Sequence, residues 1–355
     1  VPFTQLIKAA TGWLCLDTPA GRRLLRGTGT ILMLHRVLAE DAQAALPHRN
    51  ALCIGKPAFG NLLHWLERHF DCVPLIELLD PAAPANGPPR LALTFDDGWR
   101  DNAEHAFPLL QQRGLPASIF LSTDFIGSPR RFWWEAIGET LWGSFGEEAR
   151  EQLGARLRQH LNLPDELRTA RSEQRRSQLL AQFLQRLKGL PATTLQELAD
   201  SCPPPPGPHA MDWRQVQAME DSGLVRFGPH GASHAILTNL DDDSLEAELR
   251  RSHEAIAAHC RRPLPVYCYP NGDHDAQVCA ALRRLGYNQA LGTRPGLQRS
   301  RQAVSLSLPR IGVSHQVACR PALLGWRILQ GVRRQGAEQS AVQASDLQEV
   351  RNEVQ

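Results

Sequence analysis

Short apolar runs alternate with longer amphipathic stretches through most of the chain. ILMLHR (31–36), LALTF (91–95), ASIFLS (117–122), LVRFG (224–228), VYCYP (266–270) and QALGT (289–293) read as buried strands, with weaker candidates at CVPL (72–75) and RIGV (310–313). Between them PAFGNLLHWLERHF, NAEHAFPLLQQRG, SLEAELRRSHEAIAAHC and AQVCAALRRLG repeat apolar residues at helical spacing. Strand and helix alternating in this way predict parallel βα units. About seven or eight such units predict an α/β fold closed, or nearly closed, into a barrel.

Two stretches break the rhythm. PAAPANGPPR (81–90) reads as a proline-rich surface loop. Residues 129–207, rich in Arg, Gln, Glu and Leu and ending near the PPPPGP run (203–208), read as a helical insertion between barrel units. Its charges are expected to form a solvated face, with substrate recognition as the alternative. The expected organisation is an N-terminal segment (1–28), a first barrel part (29–128), the insertion (129–207), a second barrel part (208–315) and a C-terminal helix with a polar tail (316–355).

At 355 residues the chain can bury a sizeable core, and 39 Lys and Arg against 37 Asp and Glu leave no global charge argument for nucleic acid as a partner. The eight cysteines (Cys15, Cys53, Cys72, Cys202, Cys260, Cys268, Cys279, Cys319) form no CxxC pair, which favours free thiols in a reducing compartment. No apolar run reaches the length of a membrane span, and the first residues lack the pattern of a secretory signal. The chain starts at Val, so a leader could have been removed; the expected location is cytoplasmic, with the inner face of the membrane as a variant of it.

The chemistry gathers at strand ends, where parallel βα folds place their catalytic groups. LALTF runs into Asp96 and Asp97, the first strand carries His35, the 224–228 strand runs into PHGASH and the 266–270 strand into PNGDHD. Neighbouring side chains at a strand end point in different directions, so one aspartate can ligate a metal while the other accepts a proton. His230 and His234 add two imidazoles at i, i+4. Two histidines and one carboxylate make a three-ligand site with an open position, the pattern of catalytic zinc. Other divalent ions suit the same donors.

These motifs resemble the polysaccharide deacetylases of the NodB-homology type, carbohydrate esterase family 4, over roughly residues 29–315 without the insertion. The resemblance implies a distorted (β/α)7-8 barrel and a divalent-metal cofactor, with zinc preferred. TFDDG (94–98) is similar to the family's first motif, which makes Asp96 the base and Asp97 a metal ligand. HGASH (230–234) is similar to the second, with His230 and His234 as ligands and Gly231 in place of the usual hydroxyl residue. CYPNG (268–272) stands where the family often has R-x-P-Y. Cys268 then replaces an arginine that orients the base, Arg310 is the expected source of the missing charge, and Asn271 would offer a backbone N–H to the oxyanion. RIGVSH, ending at His315, best matches the motif of the acid histidine, and His35 is its rival.

The expected reaction is removal of an N-acetyl group, or an O-acetyl group, from a carbohydrate with release of acetate. The substrate would be an N-acetylated glycan or a lipid-linked sugar. An inactive carbohydrate-binding barrel and a two-carboxylate glycosidase are the alternatives, the latter poorly served by adjacent aspartates. Trp213 could stack on a sugar, although a core residue at a helix start explains it as well. The helix expected at 320–336 carries Leu323, Leu324 and Ile328 beside several arginines; it either packs on the barrel or makes a peripheral membrane contact.

Overall fold

A computed structural model describes residues 3–49, 51–82, 87–205, 207–299 and 304–332. The strands that carry the site are β1 (Thr28–Leu34), β2 (Arg90–Phe95), β3 (Ala117–Leu121), β4 (Val225–Pro229), β5 (Val266–Cys268), β6 (Gln289–Leu291), β7 (Ser305–Leu308) and β8 (Ile311–Gly312). β1 pairs in parallel with β2, β2 with β3 and β3 with β4. A second parallel set runs β5, β6, β7. β8 then returns to β1, also in parallel. Between β4 and β5 the connection is a hydrogen bond from the Leu264 N–H to the Phe227 carbonyl, 2.8 Å, beside those from the Arg226 guanidinium to the Arg262 and Pro263 carbonyls. The result is an α/β fold with a parallel sheet curled into a distorted barrel.

The larger helices are α1 (Phe3–Asp17), α2 (Pro19–Leu24), α3 (Lys56–His69), α4 (Phe107–Arg113), α5 (Trp133–Trp142), α6 (Glu147–Leu157), α7 (Glu173–Leu187), α8 (Ala192–Asp200), α9 (Trp213–Asp221), α10 (Asp242–His259), α11 (Ala276–Arg284) and the short α12 (His315–Cys319). α3 shows why the apolar spacing works: Phe59, Leu62, Leu63 and Leu66 fall on one face and are all buried. Each such side chain contributes about 1.5–3 kcal/mol. α9 begins at a capping box in which Asp212 and Gln215 satisfy each other's backbone N–H groups.

Three elements differ from the sequence reading. β7, SLSL, was not foreseen, because its alternating burial rests on only two leucines between serines. CVPL is a two-residue strand, Asp71–Cys72, followed by a helical turn at Leu75–Leu78. The helix expected from Asn102 opens as a π-turn over Asn102–Ala106 before α4. There the Asn102 amide donates to the His35 carbonyl at 2.8 Å, which ties this irregular turn to the end of β1.

Helices α5 to α8 have a hydrophobic cluster of their own, built on Ile137, Leu157, Leu180, Phe183, Leu187 and Leu195. Arg131 closes the neck of this unit: its guanidinium donates to the carbonyls of Pro203 (2.8 Å) and Cys202 (2.9 Å), and to that of Ala199. Polar contacts fix the unit to the barrel. Glu139 on α5 meets His48 Nε2 and Arg49 Nε, each at 2.7 Å, and accepts from Ser144 at 2.6 Å. Arg36, just after β1, bridges Asp101 and Glu135.

The C-terminal helix, described over 322–332, lies against the main core, where Leu323, Leu324 and Ile328 are buried. The apolar side expected to meet a membrane is thus used in packing, and residues 333–336 lie outside the described residues. α1 crosses this helix at close range. A Cβ on Gly12 would come within 1.9 Å of the Ala322 carbonyl oxygen, and one on Gly325 within 2.5 Å of the Gly12 carbonyl oxygen. Among the described residues, Cys53, Cys72, Cys202, Cys260, Cys268, Cys279 and Cys319 carry free thiols.

Burial alone would raise the Glu139 carboxyl, but His48, Arg49 and Ser144 more than offset it and lower it from 4.5 to about 2. A carboxyl depressed on folding contributes stability that is present above its unfolded pKa and lost as pH falls through the folded one. Glu139→Gln should therefore cost about 1–3 kcal/mol at neutral pH. It should also flatten the loss of stability between pH 4.5 and about 2. Limited proteolysis within 133–200, measured against pH, checks both.

Candidate active site

The end of β2 sets the site. The Asp96 N–H continues the ladder onto the Leu34 carbonyl at 3.0 Å, and the chain then turns sharply at Asp97, whose φ is +74°. The two adjacent carboxylates are separated by this turn. Both are buried.

Asp96 faces Arg310. The guanidinium forks onto both carboxylate oxygens, Nη1 to Oδ1 at 2.7 Å and Nη2 to Oδ2 at 2.8 Å, while its Nε donates to the Gly292 carbonyl at 2.9 Å. Nη1 also reaches Thr94 Oγ1 at 3.2 Å. Burial would raise Asp96, yet Arg310, with smaller help from His230 and His35, holds it down at about 2. The carboxylate therefore stays ionised at neutral pH. Cys268 fills the remaining space with its Sγ 3.4 Å from Asp96 Oδ1, and burial pushes that thiol up.

Asp97 faces the histidines. His230 Nε2 lies 3.4 Å and His234 Nε2 3.3 Å from Asp97 Oδ1. Asp97 Oδ2 is fixed by the Trp99 indole N–H at 2.7 Å, whereas Oδ1 is buried and accepts no hydrogen bond. His230 donates through Nδ1 to the Cys268 carbonyl at 2.9 Å, which turns Nε2 towards Asp97. A buried oxygen without a partner beside two imidazole nitrogens is the arrangement a divalent cation satisfies. Burial opposes the charge on Asp97, but the two histidines hold its carboxyl well below the usual range. Asp96, His230 and Cys268 also cluster within 4.8 Å. That set suits a metal poorly, because Arg310 occupies Asp96 and burial keeps Cys268 a thiol.

The histidine loop is braced from α10. Gly231 has φ +74°, and a Cβ there would meet Glu248 Oε1 at 3.0 Å. The loop hydroxyl comes instead from Ser233, whose N–H and Oγ donate to the buried Glu248 carboxylate at 2.7 and 3.0 Å. His234 takes φ +58° and packs against Trp134, ring centroids 4.5 Å apart.

The two candidate acid histidines part company. His35 lines the cleft with Nε2 at 3.9 Å from Asp96 Oδ2, and burial lowers it against the pull of Asp97 and Asp96. His315 is elsewhere: its Nδ1 accepts from the Gly55 N–H at 3.3 Å, and Cys319 Sγ lies 3.4 Å from its Nε2. Asn271 lies on the cleft wall after β5 with φ +59°, and its side-chain oxygen accepts from Lys188 at the end of α7. Trp213 is stacked on His259 at 4.1 Å and does not line the cleft. Trp99 and Trp134 sit at the site instead. Trp99 stands next to TFDDG in the sequence, whereas nothing in the sequence ties Trp134, on the inserted α5, to the histidine loop. The cleft, about 1650 Å³, runs between the barrel mouth and the inserted helices, with Leu180, Leu184 and Lys188 on the far wall.

Removing the arginine would strand a buried charge. Arg310→Met should destabilise the protein by about 3–5 kcal/mol, and adding Asp96→Asn should recover part of that loss. Urea unfolding of the two variants measures it.

Known proteins share the family and the fold of this chain. Residues 83–290 match the family described as polysaccharide deacetylase. Among solved structures, the Streptococcus pyogenes deacetylase PplD in complex with acetate is 16% identical with a TM-score of 0.53, over 84% of this chain and 97% of that one. IcaB from Ammonifex degensii is 15% identical with a TM-score of 0.53 over the same shares, 84% and 97%. The BpsB deacetylase domain from Bordetella bronchiseptica is 17% identical with a TM-score of 0.50, over 81% and 96%. No curated protein matches the chain. With more than half of its length matched and the fold shared, this chain belongs to the polysaccharide deacetylase family of the NodB-homology, carbohydrate esterase family 4 type.

Proposed function

We propose that the protein hydrolyses an N-acetyl group on a carbohydrate, releasing acetate and a free amine, with a divalent metal as cofactor. The observation that carries this reading is the unpartnered, buried Oδ1 of Asp97, set between the Nε2 atoms of His230 and His234 and beside a second, ionised carboxylate. Asp97, His230 and His234 would hold the ion, and zinc suits their donor set. Such an ion supplies Lewis acidity for an amide carbonyl and for water.

The remaining steps belong to the chain's own groups. Asp96, fixed in orientation by Arg310, accepts a proton from the attacking water. The Asn271 backbone N–H, on the cleft wall, supports the developing oxyanion. His35, in the cleft with Nε2 3.9 Å from Asp96 Oδ2, is placed to pass the proton that Asp96 takes from water on to the leaving amine, whereas the His315 ring is engaged by Gly55 and Cys319. The sugar would lie in the cleft beside Trp134, under the inserted helices. An amide needs both a proton acceptor and a donor to the nitrogen, and Asp96 lies 3.9 Å from the Nε2 of His35, which lines the cleft.

Asp97→Asn and His230→Ala should each lower bound metal, by elemental analysis, by about 10-fold or more. Asp96→Asn should keep the metal and reduce acetate release from N-acetylated glycans at least about 100-fold. His35→Gln should cost kcat by a similar factor, and His315→Gln should leave it within a few-fold of wild type. Full acetate release by Asp96→Asn overturns the mechanism. A metal-loaded wild type that binds glycans but releases no acetate from any of a broad panel overturns the reaction.

A further inference from the structure

The eight large hydrophobic side chains exposed among the described residues are unevenly distributed. Five of them, Leu6, Ile7, Trp13, Leu14 and Leu24, lie on α1 and α2. At about 100° per residue, Leu6, Ile7, Trp13 and Leu14 span an arc of roughly 120° on α1. The other apolar side of the helix is committed: Gly12 and Leu16 are buried, and the crossing with the 322–332 helix passes through Gly12 and Gly325. α1 is thus held on the barrel by one face and presents a second apolar face outward. Trp13 is 54% exposed and Leu14 52%.

The charges around this face have one sign. Residues 3–26 carry Lys8, Arg22, Arg23 and Arg26 against a single acid, Asp17. Asp17 is already engaged, its Oδ1 3.0 Å from His69 Nε2. Lys8, Arg23 and Arg26 are exposed. Residues 320–332 add no acid; the exposed Arg320 reaches Gln5 of α1 at 3.4 Å, whereas Arg327 is turned inward onto the Gly312 carbonyl. An apolar strip containing a tryptophan, flanked by cations, matches an anionic lipid surface, where the rings and aliphatic chains enter the interface and the cations meet headgroups. A second copy of the chain fits less well, since a two-fold contact would set the same basic rim against itself.

We infer that α1 and α2 form a monotopic docking surface for an anionic membrane, which seats the barrel on the bilayer by its flank without crossing it. No described helix is long and apolar enough to span a membrane. The surface is distinct from the catalytic cleft, and none of its residues lines that cleft.

Flotation of the full chain with vesicles of phosphatidylcholine containing about one-third phosphatidylglycerol tests this directly. Wild type should float with these vesicles, much less with pure phosphatidylcholine, and less as salt is raised. Trp13→Glu combined with Leu14→Gln should lower partitioning by about 10-fold or more. Lys8→Glu with Arg23→Glu and Arg26→Glu should lower it several-fold, with circular dichroism and the unfolding midpoint confirming that both variants fold. Absence of wild-type flotation, or flotation unchanged by either set of substitutions, overturns the inference. So does a dimer, seen by light scattering, that Trp13→Glu disperses, because the face would then join two copies.

Discussion

The site depends on the buried pairing of Arg310 with Asp96. Two ionised carboxylates in succession at the end of a buried strand would repel each other and lose their hydration, a cost of several kcal/mol per ion. The guanidinium answers one of them completely, with two charge-assisted bonds below 3 Å, and is itself satisfied by Gly292 and Thr94. The same contact joins the loop before β8 to β2, on the far side of β1, and so fixes the mouth of the barrel where its last strands meet its first. With Asp96 neutralised by the protein, Asp97 is left as the charge for which the protein offers only two imidazoles and an indole.

The arginine's position explains a departure in the sequence. Cys268 stands where the motif resemblance leads one to expect an arginine, and its short thiol leaves room for a guanidinium arriving from residue 310. The charge at Asp96 is thus supplied from the loop before β8. The histidine loop shows a comparable exchange. Gly231 lacks a hydroxyl but permits φ +74°, and Ser233 makes the tie to Glu248 from two residues further along. The three non-glycine residues with positive φ among the described residues are Asp97, His234 and Asn271, all on the cleft wall. Such backbone costs about 1–3 kcal/mol each and persists where neighbours over-determine it. Here the neighbours are Trp99 at Asp97, Trp134 at His234, and Lys188 at Asn271.

Much of the fold was legible because strongly apolar strands and amphipathic helices write their periods into the chain. β7 was missed for lack of such a signal, and the π-turn at Asn102–Ala106 because its pattern is still helical. In the site, Asp96, Asp97, His230 and His234 were readable as adjacent or closely spaced polar residues at strand ends. What local spacing could not carry was contact between distant segments. Trp134 approaches His234 from another layer, and Glu248 braces Ser233 from the middle of α10, where it reads as one more charge on a helix face. His315 and His35 were indistinguishable in sequence for the same reason, since only the three-dimensional path sets one in the cleft and the other against Gly55.

The division into two hydrophobic clusters has its own consequence for the cleft. The groups proposed to ligate metal and to move protons stand on loops rooted in the barrel core, whereas the opposite wall stands on α5 to α8 with their separate core. Packing changes within a close-packed core are felt throughout that core but weakly across a polar contact. Beyond the packing of Trp134 on the barrel core and of Trp142 on His48, the joints between the two units are polar: Glu139 with His48 and Arg49, Glu135 with Arg36, and Lys188 with Asn271. Residues facing the cleft from α7 and α8, such as Leu180 and Leu184, can therefore differ in size or charge without displacing Asp96 or the Asp97–His230–His234 group, whereas Trp134 on α5 packs on His234 itself. Lys188 is the exception, since its amine ends on the loop that carries Asn271, and a change there reaches both walls at once.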